Sequence, residues 1–228
     1  MTARVGSDGV GDASSLLRGG LELLGVPEPE RVLGLLEKYL DELERWNPRF
    51  GLVKAFYRRE LVIKHVLDSL AAWRVVRSAV APRGGTVLDV GSGAGLPGIP
   101  LAAAMPDATF TLLERMARRV SFLRTCGVLL GLPLLRVVQA DLSEAEGDFD
   151  VVTCRAVAPV ERFLSGLADS GVRWRTLVAY KGRENRAREE ITRARRSAEA
   201  AVQLDLVLLR TPFLAEERCL IVVSKKDR

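Results

Sequence analysis

Nowhere in this chain of 228 residues do eighteen apolar side chains follow one another, so no membrane-spanning helix is expected. The first thirty residues also lack the basic-then-apolar order of a secretory leader, and a cytoplasmic protein is the expectation. Cysteine is scarce: Cys126, Cys154 and Cys219 are three, widely spaced, with no Cys-x-x-Cys pair. Histidine is scarcer still, with His65 alone. That set supports neither a disulfide framework nor a zinc site, and no metal is expected.

Charge is unevenly spread. The net charge is +5, yet residues 1–45 hold five Lys/Arg against nine Asp/Glu, which leaves +9 for residues 46–228. An anionic partner such as nucleic acid fits the second part. At 48% hydrophobic the chain can bury a substantial core.

Residues 1–12, rich in Gly, Asp and Ser, are expected to form a flexible tail. Residues 13–80 read as a helical extension. A short helix is expected around Leu16–Leu24. A longer one enters at Pro29 and repeats Val32, Leu36, Tyr39, Leu40 and Leu43 every three or four residues. A third, from about Glu60 to Arg77, carries Val62, Val66, Leu70 and Trp73.

From residue 81 onward the texture changes to short apolar runs separated by glycine turns and helical stretches, the alternation of a parallel sheet covered by helices. Strands are expected at 86–90, 109–113, 134–139, 150–154 and 176–180. Two further runs, 202–209 and 218–224, have no helix between them and predict an antiparallel closing pair. The fold class is therefore α/β: a Rossmann-like, seven-stranded, mostly parallel sheet in the layout of class I S-adenosylmethionine-dependent methyltransferases. Residues 183–198 hold six Arg and three Glu, with Glu184/Arg188 and Glu189/Arg193 at i,i+4, and predict an exposed helix.

The most informative stretch runs from Val87 to Pro100, a strand that leads directly into Gly91, Gly93 and Gly95. Glycine permits positive φ and lets a ligand approach bare backbone, and the following helix offers free N–H groups. The dinucleotide fingerprint would place its third glycine three residues after the second, whereas here the glycines alternate. No Lys-Ser or Lys-Thr follows, which excludes a P-loop. Asp89, two residues before Gly91, is placed to meet the ammonium of an amino-acid moiety, directly or through a water. Nineteen residues past Gly95, the second strand ends in Glu114, where a ribose-binding acid belongs. The pattern favours S-adenosylmethionine over NAD.

The run Gly91–Pro100, with His65-Val66-Leu67-Asp68-Ser69 upstream, resembles the RsmG (GidB) family. Further matches are Trp46-Asn47, Arg118–Leu123, Cys154-Arg155-Ala156, Tyr180-Lys181-Gly182 and Glu217-Arg218. The resemblance implies methylation of guanine N7 in bacterial 16S rRNA, within a small-subunit ribosomal particle. It also implies cofactor contacts at Gly91, Leu96, Glu114, Leu142, Ser143 and Arg155. The chain departs from the family at Gly51-Leu52-Val53, where Asn-Leu-Thr is usual, and at Arg118, where lysine is more common.

Transfer to N7 needs no deprotonation, so the lack of a catalytic dyad is consistent, and the amino-methylation box Asn-Pro-Pro-Tyr is absent. Candidate substrate contacts are His65, Asp68, Arg118, Arg119 and Lys181, with Arg115 and Arg124 extending a basic helix face. For each the alternative is structural: a satisfied core histidine, a surface ion pair or a solvated cation. Cys154 is a candidate thiolate nucleophile or a buried strand-end residue. Two other functions stay compatible with the same residues, namely methyl transfer to a small molecule or protein, and a non-catalytic RNA-binding module.

Overall fold

A computed structural model describes residues 8–82, 84–197 and 202–225. The first helix, α1 (Asp8–Leu24), begins inside the stretch expected to be loose; residues 1–7 of that stretch lie outside the described residues. It buries Ala13, Leu17 and Leu21, one turn apart, and stops at Gly25, whose φ of 60° L-residues resist. Next comes α2 (Pro29–Phe50), with proline in its first turn and Gly51 closing it through an N–H bond to the Asn47 carbonyl. Its five predicted apolar positions are all buried.

The third expected helix is broken into α3 (Arg58–Glu60), a π-helical stretch Leu61–Leu67, α4 (Asp68–Leu70) and α5 (Trp73–Ala79). Leu61, Val62, Ile63, Val66 and Leu67 are all buried, while Trp73 is only partly so. Five apolar side chains in seven residues exceed the stripe of a regular helix, and the wider π turn brings them all to the core.

Seven strands follow: β1 (Thr86–Val90), β2 (Thr109–Leu113), β3 (Leu135–Val138), β4 (Glu146–Arg155), β5 (Gly171–Lys181), β6 (Val202–Leu209) and β7 (Arg218–Lys225). Their order is β3-β2-β1-β4-β5-β7-β6. Pairs among β1 to β5 are parallel, and β7 runs antiparallel to both β5 and β6, so the predicted closing pair is present. Strands β4 and β5 begin earlier than apolarity alone indicates, because Glu146–Asp148 and Gly171–Arg173 pair with each other while carrying polar side chains.

Helices α6 (Gly98–Ala104) and α7 (Ala117–Leu130) cover one face of the sheet together with α1 and α2. On the other face lie α8 (Val160–Ala168) and α9 (Glu184–Ser197). Tyr39 of α2 packs near Phe122 of α7, and its hydroxyl donates to the Ala94 carbonyl at 2.7 Å. The N-terminal helices thus share a continuous core with the sheet and brace the loop after β1.

Candidate functional site

Strand order reverses between β2-β1 and β4, and in open α/β sheets the crevice beyond the carboxyl ends at that point is where ligands bind. A cleft of about 780 Å³ opens there. Its floor is the turn after β1, where the Gly91 and Ser92 N–H groups donate to the Leu113 carbonyl. Gly91 adopts φ 68°, and a Cβ there would lie 3.0 Å from Val157 Cγ2 across the cleft. Gly93, at φ 59°, donates its N–H to Glu114 Oε2 at 3.0 Å. The other Glu114 oxygen accepts the Met116 N–H at 2.9 Å, so this buried carboxylate is fixed in place at the cleft edge.

Of the residues singled out in the sequence, Gly91, Gly93, Leu96, Glu114, Leu142, Arg119, Arg155 and His65 are brought together along this space. Leu142 follows β3 in a short 3-10 turn (Leu142–Glu144) capped by Asp141, and faces Phe163 and Leu96 among the apolar walls. That apolar side opposite a fixed carboxylate matches a nucleoside, with its base on hydrocarbon and its ribose on an acceptor.

Other predicted residues sit elsewhere. Asp89 does not line the cleft: it is fully buried, with Oδ2 accepting the Gly98 N–H at 3.2 Å and Oδ1 accepting the Thr153 hydroxyl at 2.8 Å. Burial raises its pKa to about 6. It ties β1 to β4 and to the start of α6 rather than meeting an ammonium group directly. Gly95 is likewise outside, and a Cβ there would strike Ile99 Cδ1 at 2.4 Å, so its role is close packing. Ser143 turns its N–H toward Asp141 and does not line the space.

Asp68 is buried below the cleft, 3.0 Å from Arg155 and 3.0 Å from Arg218, with the Thr211 hydroxyl donating to it at 3.3 Å. Arg155 also donates to the Lys64 and His65 carbonyls and to the Ser69 hydroxyl, so it clamps the π-helical stretch to the end of β4. Arg118 is exposed outside the cleft. Lys181 pairs with Glu190 at 2.7 Å and donates to the Ala158 carbonyl, which holds the loop after β4.

His65 is partly buried at the cleft wall, and burial with the nearby Arg155 charge lowers its pKa to about 4. It is a neutral imidazole at neutral pH. Burial pushes the Cys154 and Cys126 thiols up to about 12 and Cys219 to about 11. No thiolate is available to attack a base, which leaves Cys154 as a strand-end core residue.

Several cleft residues escaped the sequence reading: Lys54, Ala140, Asp141, Val157, Arg162 and Phe163. Leu52 and Val53, within the triplet that departs from the Asn-Leu-Thr of its resemblance, also line it, so at Val53 the departure replaces a hydroxyl by hydrocarbon, while Gly51 is not among the lining residues. The one available signal was position just after a strand or helix end. A second cavity, of about 740 Å³, lies between the β5–α9 loop and Glu216–Arg218, away from the glycine loop.

A sheet in this order, with a glycine turn after its first strand and a fixed acid after its second, defines a class I methyltransferase. Within that class, residues 33–220 match the family described as GidB, rRNA small subunit methyltransferase G, and the chain belongs to that family. The ribosomal RNA small subunit methyltransferase G of Treponema pallidum is 38% identical over 199 residues, 83% of each chain. Its counterpart in Neisseria gonorrhoeae is 33% identical over 217 residues, covering 92% of this chain and 97% of that one. Among solved structures, magnesium protoporphyrin IX methyltransferase from Synechocystis superposes with a TM-score of 0.55 at 17% identity, over 99% of this chain and all of that one, a likeness of fold. Among the described residues no helix is long and apolar enough to cross a membrane, and no group of three or more His, Cys, Asp or Glu is placed to hold a metal ion.

Proposed function

We propose that this chain transfers the methyl group of S-adenosylmethionine to N7 of a guanine in 16S rRNA, acting in the cytoplasm on a small-subunit particle. The observation that carries the cofactor half is the pairing of Glu114 with the Gly93 N–H at the mouth of the cleft, beside a Gly91 whose positive φ and 3.0 Å approach to Val157 both disfavour a side chain. Membership of the rRNA small subunit methyltransferase G family carries the substrate half.

S-adenosylmethionine, when bound, supplies an electrophilic methyl on a sulfonium, which the N7 lone pair accepts without loss of a proton. The protein's task is to bind, orient and exclude water, and such positioning is worth roughly 7–11 kcal/mol in favourable cases. Leu96, Leu142 and Phe163 give an apolar wall on which an adenine would rest, and Glu114 can take ribose hydroxyls on lone pairs its backbone donors leave free. Arg155 closes the far end while held by Asp68. A neutral His65 adds no second cation next to a base that becomes positively charged on methylation.

Transfer of tritiated methyl from S-adenosylmethionine to small-subunit particles that lack the modification, followed by nuclease digestion, tests the reading. Label on N7 of one 16S guanine is expected, and its loss in Gly91→Asp. Cofactor binding with label on no RNA would overturn the substrate half and favour a small-molecule or protein acceptor.

A further inference from the structure

The chain spends two large aromatic side chains where they stabilise nothing. Phe56 is 93% exposed and Tyr57 75% exposed, consecutive in the segment between α2 and α3. Among the described residues neither ring stacks on another ring or a cation. Burying a ring of this size is normally among the larger gains of folding, so two adjacent rings left in water ask for another use.

The backbone beneath them is nevertheless ordered. The Phe56 N–H donates to Glu60 Oε2 at 2.9 Å, Glu60 is in turn paired with Lys64 at 3.1 Å, and the Tyr57 carbonyl accepts the Glu60 N–H at 2.9 Å. The rings therefore stand on a fixed turn. That turn continues directly from Leu52, Val53 and Lys54, which form one wall of the cofactor cleft.

Charge along the cleft chooses between partners. Lys54, Arg115 and Arg162 line the cleft, and none forms an ion pair among the described residues. The cleft acids Glu114 and Asp141 accept backbone N–H groups and, among the described residues, pair with none of these three cations. Cations without an ion pair and solvent-exposed rings are the two components of a single-strand RNA site: phosphates meet the cations and unstacked bases lie on the rings.

We propose that Phe56 and Tyr57 form a stacking platform for a base neighbouring the methylated guanine, with Lys54 and Arg162 holding the adjoining phosphates. The inference rests on the rRNA reading above and adds where the RNA lies. A guanine must leave its stack for N7 to reach the sulfonium methyl, and a ring pair that begins two residues after the cleft-lining Lys54 compensates for the stacking its neighbour loses.

The test compares wild type with Phe56→Ala/Tyr57→Ala and with Phe56→Trp/Tyr57→Trp. The readouts are methyl transfer to unmodified small-subunit particles, filter binding of protein-free 16S rRNA, and calorimetric affinity for S-adenosylmethionine. The alanine pair is expected to raise KM for particles and Kd for the RNA about tenfold or more, with kcat and cofactor affinity within about twofold. The tryptophan pair should restore both, because a larger ring still stacks. Unchanged RNA affinity in the alanine pair would overturn the platform even if transfer fell. A loss confined to particles would reassign the rings to a ribosomal protein, and would equally overturn it. Absence of label from wild type sinks the rRNA reading instead, while the binding comparison still decides the fate of the rings.

Discussion

The Asp68 carboxylate lies 3.0 Å from the Arg155 guanidinium, joining the end of the π-helical stretch to the end of β4. Its second oxygen is 3.0 Å from Arg218 at the start of β7, so one buried acid holds two cations from distant strands. Burial disfavours the Asp68 anion and raises its pKa, while both arginines oppose that shift.

Removing the acid would leave Arg155 and Arg218, each only about a fifth exposed, with carbonyl and hydroxyl acceptors but without their carboxylate. Breaking such a pair by deleting one partner costs about 3–5 kcal/mol when fully buried. Asp68→Ala is therefore expected to lose about 3 kcal/mol, on the order of 10 °C in Tm for a chain of this size. Cofactor affinity should fall as well, because Arg155 loses the partner that fixes its position. Thermal unfolding and calorimetry check both, and a variant with wild-type Tm would show that the network contributes nothing.

The glycines of the turn after β1 separate by role. Gly95→Ala meets Ile99 Cδ1 at 2.4 Å and Leu123 Cδ2 at 3.1 Å with φ at 85°, so it should cost stability most. Gly93→Ala has open space, its nearest heavy atom 3.8 Å away, and pays only for its left-handed backbone, about 1–2 kcal/mol. Gly91→Ala narrows the cleft against Val157, so cofactor affinity should fall more than Tm. Equal loss of Tm in all three would remove the distinction.

This division shows what the sequence could and could not say. Strands, turns and the alternating glycines are local patterns, and their period and spacing carried over to the structure almost element by element. Asp89 stands at the position expected to face a ligand, but its direction depends on Thr153 and Gly98, whose approach no local pattern encodes. Asp68, Arg155 and Arg218 each read as lone polar residues until the fold brings them together. Early starts of β4 and β5 were hidden because a strand pairs through its backbone, whatever its side chains.

Two buried groups should give opposite pH dependences. His65 has its folded pKa lowered to about 4, so the unfolded chain binds its proton first as pH falls, and stability is lost between about 6.5 and 4. Asp89 has its folded pKa raised to about 6, so the unfolded chain releases its proton first as pH rises, and stability is lost between about 4 and 6. Each effect is at most roughly 3 kcal/mol, and less for the partly exposed His65. Urea denaturation from pH 4 to 7 should show that the stability of wild type relative to His65→Gln rises with pH, and relative to Asp89→Asn falls. A pH-independent difference in either comparison would contradict the corresponding assignment.

Cys154 lies beside Arg155, within the region where a nucleophile would be sought, yet its thiol is buried and pushed up to about 12. Cys154→Ala should retain methyl transfer within a few-fold and lose about 1 kcal/mol of stability from the atom removed. Total loss of transfer in a folded variant would revive a covalent route through the thiolate.

Glu114 offers the sharpest test of the cleft. Each of its oxygens already accepts a backbone N–H, from Gly93 at 3.0 Å and Met116 at 2.9 Å, while an ionised carboxylate has about four acceptor positions. Two remain for a pair of ribose hydroxyls. Glu114→Gln keeps the shape but replaces one acceptor oxygen with a donor NH2, which faces one of the two N–H groups and leaves it unsatisfied. A buried donor left in that state costs about 1–3 kcal/mol, so Tm should drop by several degrees. Affinity for S-adenosylmethionine should fall about tenfold, because the diol loses two charge-assisted bonds to a carboxylate and keeps only neutral ones. Arg119, 3.6 Å away and partly exposed, is the control: Arg119→Ala should leave both quantities nearly unchanged. If Glu114→Gln loses Tm but binds the cofactor as wild type does, the carboxylate serves the turn alone and the ribose lies elsewhere in the cleft.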